Sequence, residues 1–375
     1  MGFAKMNALT VWYEHKRISS DRKKDSFIVE DYTTGRRLGQ LDFESFGSNL
    51  RNLSSFNAAA VGLVFYGMIH KQDIRFRGLV SKRLLENLEE FQAAWGKWRP
   101  AWSRIGLSAD VEGSTDTIRE TEDAICTFSG GVDATFSLWR HHFKKEGRHH
   151  KTIKSAVMVQ GFDIAGGDET GMQAALRSAR NMLDPLGIEL YRVRTNLKDK
   201  WLPDWNMNFG AGCATVLHLF SHGHSFGIIG GDEPYDRLIT PWGSNPITNH
   251  LLSSQVFKIL YDGNGFSRTE KIERLVSWPE AVNNLRVCWE GNTPGKNCGS
   301  CEKCRRTKLN FLAVGIDQPG CFAEPIQAED VRTIKISNHA VRTMYEEILE
   351  AAERRKISAP WVTEVRQLLQ RSIRG

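Results

Sequence analysis

A glycine pair between an apolar segment and a helical pattern is the first feature of this sequence that could do chemistry. The run Ser129-Gly130-Gly131-Val132-Asp133 follows an apolar segment and precedes a helix that we expect to begin near Asp133. Glycines let a backbone turn with positive φ and approach a phosphate closely, and N–H groups at a helix start favour an anion. We therefore predict a phosphate-binding loop in which Ser129 adds a hydroxyl donor. The alternative is a tight strand-to-helix turn with Asp133 as the N-cap.

Four cysteines late in the chain form the second feature. They lie within seventeen residues and are Cys288, Cys298, Cys301 and Cys304. This spacing is typical of a metal site rather than of a disulfide framework, and four thiolates suit a tetrahedral zinc ion. Because no ligand position stays open, we expect a structural role. An iron–sulfur cluster or four free thiols are the alternatives.

Strands that alternate with helices follow from about residue 123 and must position both features. Strands are predicted at residues 124–128, 155–160, 189–194 and 226–229, and helices near 133–146, 170–187 and 206–222. This alternation favours an α/β fold with a doubly wound, mostly parallel sheet, whose ligands collect at the carboxyl ends of the strands. Asp163, Asp232 and Glu233 follow strands and could orient a substrate, or they are ordinary loop carboxylates. Two amphipathic helices are expected at 338–355 and 360–373.

The first 115 residues read as a separate α+β domain. A strand is predicted at residues 8–13, a hairpin at 27–43 around Thr33-Thr34-Gly35, and a buried helix at 54–70 capped by Ser or Asn. Helical spacing from Leu84 to Trp95 predicts a further helix that ends before Pro100. The polar run 113–117 is the best boundary, so we assign residues 1–115 and 116–375 to two units.

Composition limits the classes of protein that this chain can belong to. Its 375 residues are 41% hydrophobic and 25% charged, as in folded globular proteins. The net charge of +6 would suit a partner that carries phosphates, although both signs are spread along the chain. No apolar stretch is long enough to span a bilayer and no signal peptide is evident, so we expect a cytoplasmic protein without a membrane partner.

The phosphate loop resembles a known signature. It is neither a Walker A motif nor a dinucleotide fingerprint. It is similar to the Ser-Gly-Gly-x-Asp-Ser of the N-type ATP pyrophosphatases, or PP-loop proteins, except that Ala134 stands in place of the second serine, followed by Thr135. With the late cysteines, the chain resembles the 7-cyano-7-deazaguanine synthase (QueC) branch of that superfamily over residues 124–315, with an added N-terminal domain.

Two further stretches agree loosely with the QueC-like family. Asn206 to Phe209 resembles its Asn-x-x-Phe, with Trp205 where an arginine usually precedes. Ser267 to Glu270 resembles its Thr-Lys-x-Glu, with Arg268 in the lysine place. Some longer members of the family are associated with anti-phage defence.

The resemblance implies an adenine nucleotide alpha hydrolase-like fold and an ATP-dependent ligase. Such an enzyme adenylates a carboxylate, for example that of a 7-carboxy-7-deazaguanine-type nucleobase, and joins it to ammonia or an amine on a protein partner, with Mg²⁺ bound beside ATP and Zn²⁺ in the cysteine site. The alternatives are a PP-loop enzyme that modifies tRNA, and a degenerate nucleotide-binding protein that no longer turns over.

Site residues are predicted accordingly, with Trp242 either stacking a purine-like base or packing in its loop. The catalytic residues are Ser129, Asp133 and Arg268, with Lys271 as a second cation that could neutralise phosphate charge. The residues expected to bind ATP are Ser129, Gly130, Gly131, Val132, Asp133, Thr135, Met158 and Gly161. The residues expected to bind the substrate are Asn206, Phe209, Asp232, Glu233 and Trp242.

Overall fold

One sheet of ten strands runs through the protein, for which the computed structural model describes residues 8–113, 121–145, 147–288 and 295–371. The strands are β1 (Ala8–Ser19), β2 (Arg22–Asp31), β3 (Arg37–Phe46), β4 (Asp73–Val80), β5 (Leu107–Glu112), β6 (Asp123–Thr127), β7 (Thr152–Gln160), β8 (Glu189–Thr195), β9 (Phe226–Gly230) and β10 (Lys258–Asp262). They lie in the order β10-β9-β6-β7-β8-β3-β2-β1-β4-β5. Most neighbouring pairs are parallel, and only the pairs β8–β3, β3–β2 and β2–β1 are antiparallel. The chain is therefore an α/β protein with a large, mostly parallel sheet.

Helices pack on both faces of the parallel half, β10 to β8, and further helices pack on the N-terminal half or on one another. They are α1 (Asn57–His70), α2 (Lys82–Trp98), α3 (Val132–His142), α4 (Glu169–Leu183), α5 (Leu197–Trp201), α6 (Trp205–His218), α7 (Arg268–Leu275), α8 (Pro279–Asn284), α9 (Glu302–Ala313), α10 (Ala328–Arg332), α11 (His339–Arg354) and α12 (Pro360–Arg371). Successive residues of a strand point to opposite faces. In β6, Ile125 accordingly joins the core under α6, whereas Ala124 and Cys126 join the core under α3 and α4.

The four predicted strands of this half are confirmed as β6, β7, β8 and β9, and the three helices between them as α3, α4 and α6. The fifth strand, β10, was not predicted. It follows β9 through a long connection without an α-helix, so the alternation of strands and helices does not mark it. The two C-terminal helices are confirmed as α11 and α12. Residues 146, 372 and 373, which the predicted helices included, lie outside the described residues.

The N-terminal half consists of β1 to β5 with α1 and α2 packed on one face. The predicted hairpin is confirmed, since β2 pairs with β3 and Phe27 lies opposite Leu41. The parallel strands β4 and β5 were missed. The predicted cap of α1 was wrong, because Phe56 takes the N-cap position and Asn57 instead accepts a hydrogen bond from the Ser81 backbone N–H, 2.9 Å away.

The two predicted units share this sheet. Strand β3 pairs antiparallel with β8, with Phe43 opposite Thr195. Helix α1 also packs against α6, where Gly62 faces Thr215, and residues of both halves share the hydrophobic core under α6. Residues 114–117 of the predicted boundary lie outside the described residues.

Candidate functional site

The predicted phosphate loop, Ser129 to Asp133, lies where the order of the parallel strands reverses. From β6 the chain passes through α3 to β7 on one side, and later returns through α6 to β9 on the other side. A crevice forms at such a switch point, outside the carboxyl ends of the strands, and is the usual ligand site of open α/β sheets. Here it holds a cavity of about 310 Å³, which we call the switch-point cavity.

The loop has the backbone geometry that a close anion contact needs. Gly130 has φ +76°, a conformation that L side chains rarely adopt. Gly131 is the N-cap of α3 and Asp133 lies in its first turn, so the alternative in which Asp133 caps this helix is wrong. The Gly131 N–H donates to Ser129 Oγ over 3.2 Å. Ser129, Gly131 and Asp133 line the switch-point cavity, whereas the side chains of Val132 and Thr135 are buried in the protein interior.

Asp133 pairs with two buried cations from α7. Its carboxylate lies 2.6 Å from Arg268 Nη1 and 3.1 Å from Lys271 Nζ. Lys271 also donates to the Gly231 carbonyl over 2.5 Å. Burial raises the pKa of Asp133, but the charges of Arg268 and Lys271 outweigh that effect and hold the pKa below its usual range. Asp133 is thus ionised and connects the phosphate loop to α7.

Helix α7 begins with a capping box that explains part of the Thr-Lys-x-Glu-like stretch. Ser267 Oγ accepts from the Glu270 N–H over 3.3 Å, and the Glu270 carboxylate accepts from the Ser267 N–H over 2.8 Å. These two residues therefore fix the helix start. Arg268, at the first helical position, lines the switch-point cavity.

Two further cations, Arg286 and Lys303, line the cavity. Neither of them was assigned to this site from the sequence. The Arg286 N–H donates to the Gly130 carbonyl over 2.7 Å, and its Nη1 donates to the Ser129 carbonyl over 3.2 Å. Among the described residues, the buried Nε atoms of Arg268 and Arg286 make no hydrogen bond. Buried donors of this kind at a phosphate loop fit an anionic ligand. The only sequence signal for both residues was their closeness to the cysteines.

An apolar wall faces these cations. It includes Met158 and Val159 at the end of β7, together with Phe162, Trp205 and Phe209. The Phe162 and Trp205 rings lie 4.5 Å apart between centroids. The predicted Gly161 is not part of the wall. Its φ of +104° brings it against Thr195, where a Cβ would lie 2.0 Å from the carbonyl oxygen.

Of the predicted substrate residues, Phe209 and Asp232 line the cavity, as does Asp163. Asp232 accepts hydrogen bonds from Trp242 Nε1 over 2.8 Å and from the Tyr261 hydroxyl over 2.9 Å. Burial, and after it the charge of Asp133, raises the pKa of Asp232 above its usual range. Trp242 therefore acts as a donor behind Asp232, with its ring edge-on to Phe209.

Trp242 does not line the cavity, and two further predicted substrate residues also lie outside its lining. Asn206 is exposed, and its carbonyl accepts from the Gly243 N–H over 2.9 Å. Glu233 is buried, and its carboxylate accepts from the Ile239 N–H over 2.8 Å. Both residues therefore shape the loop that follows β9.

The four predicted metal ligands meet at one point. The Sγ atoms of Cys288, Cys298, Cys301 and Cys304 all lie within 4.8 Å of one another. Cys288 and Cys301 are 3.8 Å apart, and Cys298 and Cys304 are 3.9 Å apart. A tetrahedral ion with metal–sulfur bonds of about 2.3 Å requires sulfur separations of about 3.8 Å. The four thiols therefore have the geometry to hold a single metal ion such as zinc.

Within the described parts of the chain, no helix combines the length and apolar character needed to cross a membrane. The comparisons with known proteins identify no relative: the sequence matches no protein-family model and no curated protein, and the fold matches no solved structure.

Proposed function

We propose that this protein is an ATP-dependent ligase of the PP-loop type that adenylates a carboxylate and transfers the acyl group to ammonia or an amine. The observation that carries this proposal is the convergence of the Ser129–Asp133 loop with Arg268, Arg286 and Lys303 in one cavity. Five parallel strands in an order equivalent to 3-2-1-4-5 support it, because this order is the usual one of nucleotide-binding doubly wound folds.

The cations of the cavity suit the charge changes of adenylation. The substrate carboxylate attacks the α-phosphorus of ATP, the bond to the bridging oxygen breaks, and pyrophosphate leaves. The loop N–H groups, Arg268, Arg286 and Lys303 would stabilise the negative charge that grows on the pyrophosphate. An amine then attacks the acyl carbon, AMP leaves with the bonding electrons, and the amine loses one proton.

Two carboxylates of the cavity fit a divalent cation. The charge of Asp133 helps to raise the pKa of Asp232, so these groups are close enough to repel each other, and a hard cation would offset that repulsion. Mg²⁺ held by Asp133 and Asp232 would supply further charge stabilisation to the phosphates.

The apolar wall supports a flat, ring-containing ligand beside the phosphates. Adenine would contact Met158 and Val159 at the end of β7, and the acceptor nucleobase would lie towards Phe162, Trp205 and Phe209. Aromatic faces of this kind stack on purine-like rings. We infer a deazaguanine-type carboxylate as the substrate class.

The Asp133→Asn variant tests the proposal. We expect ATP affinity to fall and carboxylate-dependent pyrophosphate release to decrease by at least about a hundredfold, since the change removes the anion that orders the two buried cations of α7, of which Arg268 lines the cavity. Pyrophosphate release would be measured with 7-carboxy-7-deazaguanine and ammonia, and ATP binding by calorimetry. Asp236→Asn, at an exposed aspartate in the connection after β9 that does not line the cavity, is the matched control and should behave like the parent protein.

The outcome also separates the alternatives. ATP binding without pyrophosphate release under any condition would contradict a ligase and favour a degenerate nucleotide-binding protein. Ala134, which lines the cavity in place of the second serine of the signature, would explain such a loss of turnover. Pyrophosphate release that depends on tRNA instead of a free carboxylate would favour the alternative of a PP-loop enzyme that modifies tRNA.

A further inference from the structure

Two cations of the switch-point cavity are adjacent in the chain to the four thiols. Arg286 precedes Cys288 by two residues, and Lys303 lies between Cys301 and Cys304. One wall of the cavity and the candidate metal site are therefore built from the same segments. A displacement of the thiols must move these cations, because consecutive Cα atoms are only about 3.8 Å apart.

Arg286 also forms hydrogen bonds to the backbone of the phosphate loop. Its backbone N–H donates to the Gly130 carbonyl over 2.7 Å, and Nη1 donates to the Ser129 carbonyl over 3.2 Å. A Cβ added to Gly130 would lie 3.4 Å from the Cβ of Arg286, so loop and arginine are in close contact. The position of residue 286 thus sets the direction of the loop N–H groups.

Asn297 connects this arginine segment to the second thiol. Its Oδ1 accepts from the N–H groups of Val287 and Cys288 over 2.8 and 3.2 Å, and its Nδ2 donates to the Leu285 carbonyl over 2.8 Å. Asn297 directly precedes Cys298. The segment around Arg286 is therefore already aligned with the thiols, and a metal ion would lock that alignment.

Helix α9 carries the other cation. Cys301 is its N-cap but makes no side-chain capping hydrogen bond, and Lys303 lies in its first turn. Thr269 donates to Asn310 Oδ1 over 2.6 Å, which joins α9 to the helix that carries Arg268. Three like charges repel one another in a confined cavity, so their separation depends on how firmly these backbones are anchored.

We propose that the four-cysteine site is a positioning element of the switch-point cavity, through which metal binding and polyphosphate binding strengthen each other. A bound ion fixes residues 286 and 303, and a polyphosphate held by them resists release of the ion. Such coupling is reciprocal by thermodynamic necessity. The inference rests on the proposed function only in that the cavity accepts the phosphates of a nucleotide.

The test uses the full chain, loaded with Zn²⁺ or stripped by a chelator, and inorganic tripolyphosphate as the probe. We expect tripolyphosphate to bind about tenfold more weakly to the stripped protein than to the loaded one. In the loaded protein, bound tripolyphosphate should slow the release of Zn²⁺ to a colorimetric chelator by a similar factor. Circular dichroism would show whether the fold survives stripping, and readdition of Zn²⁺ should restore the affinity. Cys298→Ser removes one of the four thiols and should bind tripolyphosphate as weakly as the stripped protein does. Cys321→Ala removes a thiol outside the four and is its control.

A second variant decides the question even if the stripped protein unfolds. Lys303→Met keeps all four thiols, and we expect it to bind Zn²⁺ normally while tripolyphosphate no longer slows Zn²⁺ release. Lys335→Met removes an exposed lysine and should leave the protection intact. Equal Zn²⁺ release rates with and without bound tripolyphosphate in the parent protein would overturn the inference alone. Failure of the Zn²⁺-loaded protein to bind tripolyphosphate would overturn the proposed function with it.

Discussion

Asp133 is the residue on which the charge balance of the cavity depends. Its side chain pairs with Arg268 and Lys271, which are 4% and 0% exposed, so a single carboxylate compensates two buried positive charges. A buried cation without a partner costs several kcal/mol, on the order of 3–5 when one member of a pair is removed. The carboxylate therefore orders the cations of α7, and Arg268 retains an unbonded donor for a ligand.

A second residue-scale effect concerns two glutamates behind the site, Glu233 and Glu347. Burial is the main cause that raises the pKa of each to about 7, and the charge of Glu347 raises that of Glu233 further. The folded protein therefore binds protons here more tightly than the unfolded chain. The contribution of these two glutamates to the free energy of unfolding should therefore fall as pH rises from about 4.5 to 7.

Glu347→Gln should remove part of this pH dependence. Glutamine resembles the protonated acid, so we expect the variant to match the parent protein near pH 5 and to exceed its free energy of unfolding by about 2 kcal/mol at pH 8. Urea denaturation across this pH range is the measurement. Glu353→Gln changes an exposed carboxylate of the same helix and should leave the pH profile unaltered. A difference between Glu347→Gln and the parent protein that stays constant from pH 5 to 8 would refute the expectation.

At the scale of elements, the end of β9 and the start of α3 approach each other without a side chain between them. A Cβ on Gly230 would lie 2.7 Å from the backbone carbon of Asp133 and 2.9 Å from the Ala134 nitrogen. Helix α3 can therefore begin close to the strand edge only because residue 230 is glycine. This contact brings the phosphate loop and the carboxyl end of β9 together.

Gly230→Ala should push the start of α3 away from β9. We expect a loss of about 1–3 kcal/mol in the free energy of unfolding, together with weaker ATP binding, because the clash involves backbone atoms that cannot turn aside. Thermal denaturation and calorimetry would report the two effects. Gly166→Ala, at a position where a Cβ meets nothing within 4 Å, should stay within about 0.5 kcal/mol of the parent protein. Equal behaviour of the two variants would contradict this account.

At the scale of the whole molecule, the N-terminal half completes the sheet and core of the site-bearing half. Strand β3 covers the edge of β8, and α1 covers α6, the helix that contributes Trp205 and Phe209 to the cavity wall. Strand β8 is thus an interior strand of the ten-stranded sheet. Without β3 it would present an unpaired edge, which promotes aggregation.

Deletion of residues 1–113 should consequently fail to give a stable fragment. We expect aggregation, because both the β8 edge and the apolar face of α6 would meet water. Size-exclusion chromatography and dye binding to exposed apolar surface would detect it. A monomeric fragment with retained helicity and ATP binding would instead support two separable domains divided near residue 115.

The sequence alone determined the local features of this protein. Short-range periodicity of apolar residues marks the strand before the glycine pair, the helix after it and the alternation of strands and helices from β6 to β9. The predictions of these elements are therefore confirmed. The four cysteines were recognisable because a metal site in one segment has a fixed spacing. Strand β4 was missed because Arg75 and Arg77 alternate with its apolar residues, and β5 and β10 were missed because they are short strands at the two edges of the sheet.

Only the tertiary structure decided which side chains share the cavity. Arg286 reaches the phosphate loop across 157 residues of sequence and Arg268 reaches Asp133 across 135, and no local pattern marks such contacts. The same holds for the junction of β3 with β8 and for the turning of Trp242 towards Asp232. Sheet order and long-range packing arise from burial of the whole chain, so residues far apart in sequence become neighbours only when the sheet is assembled.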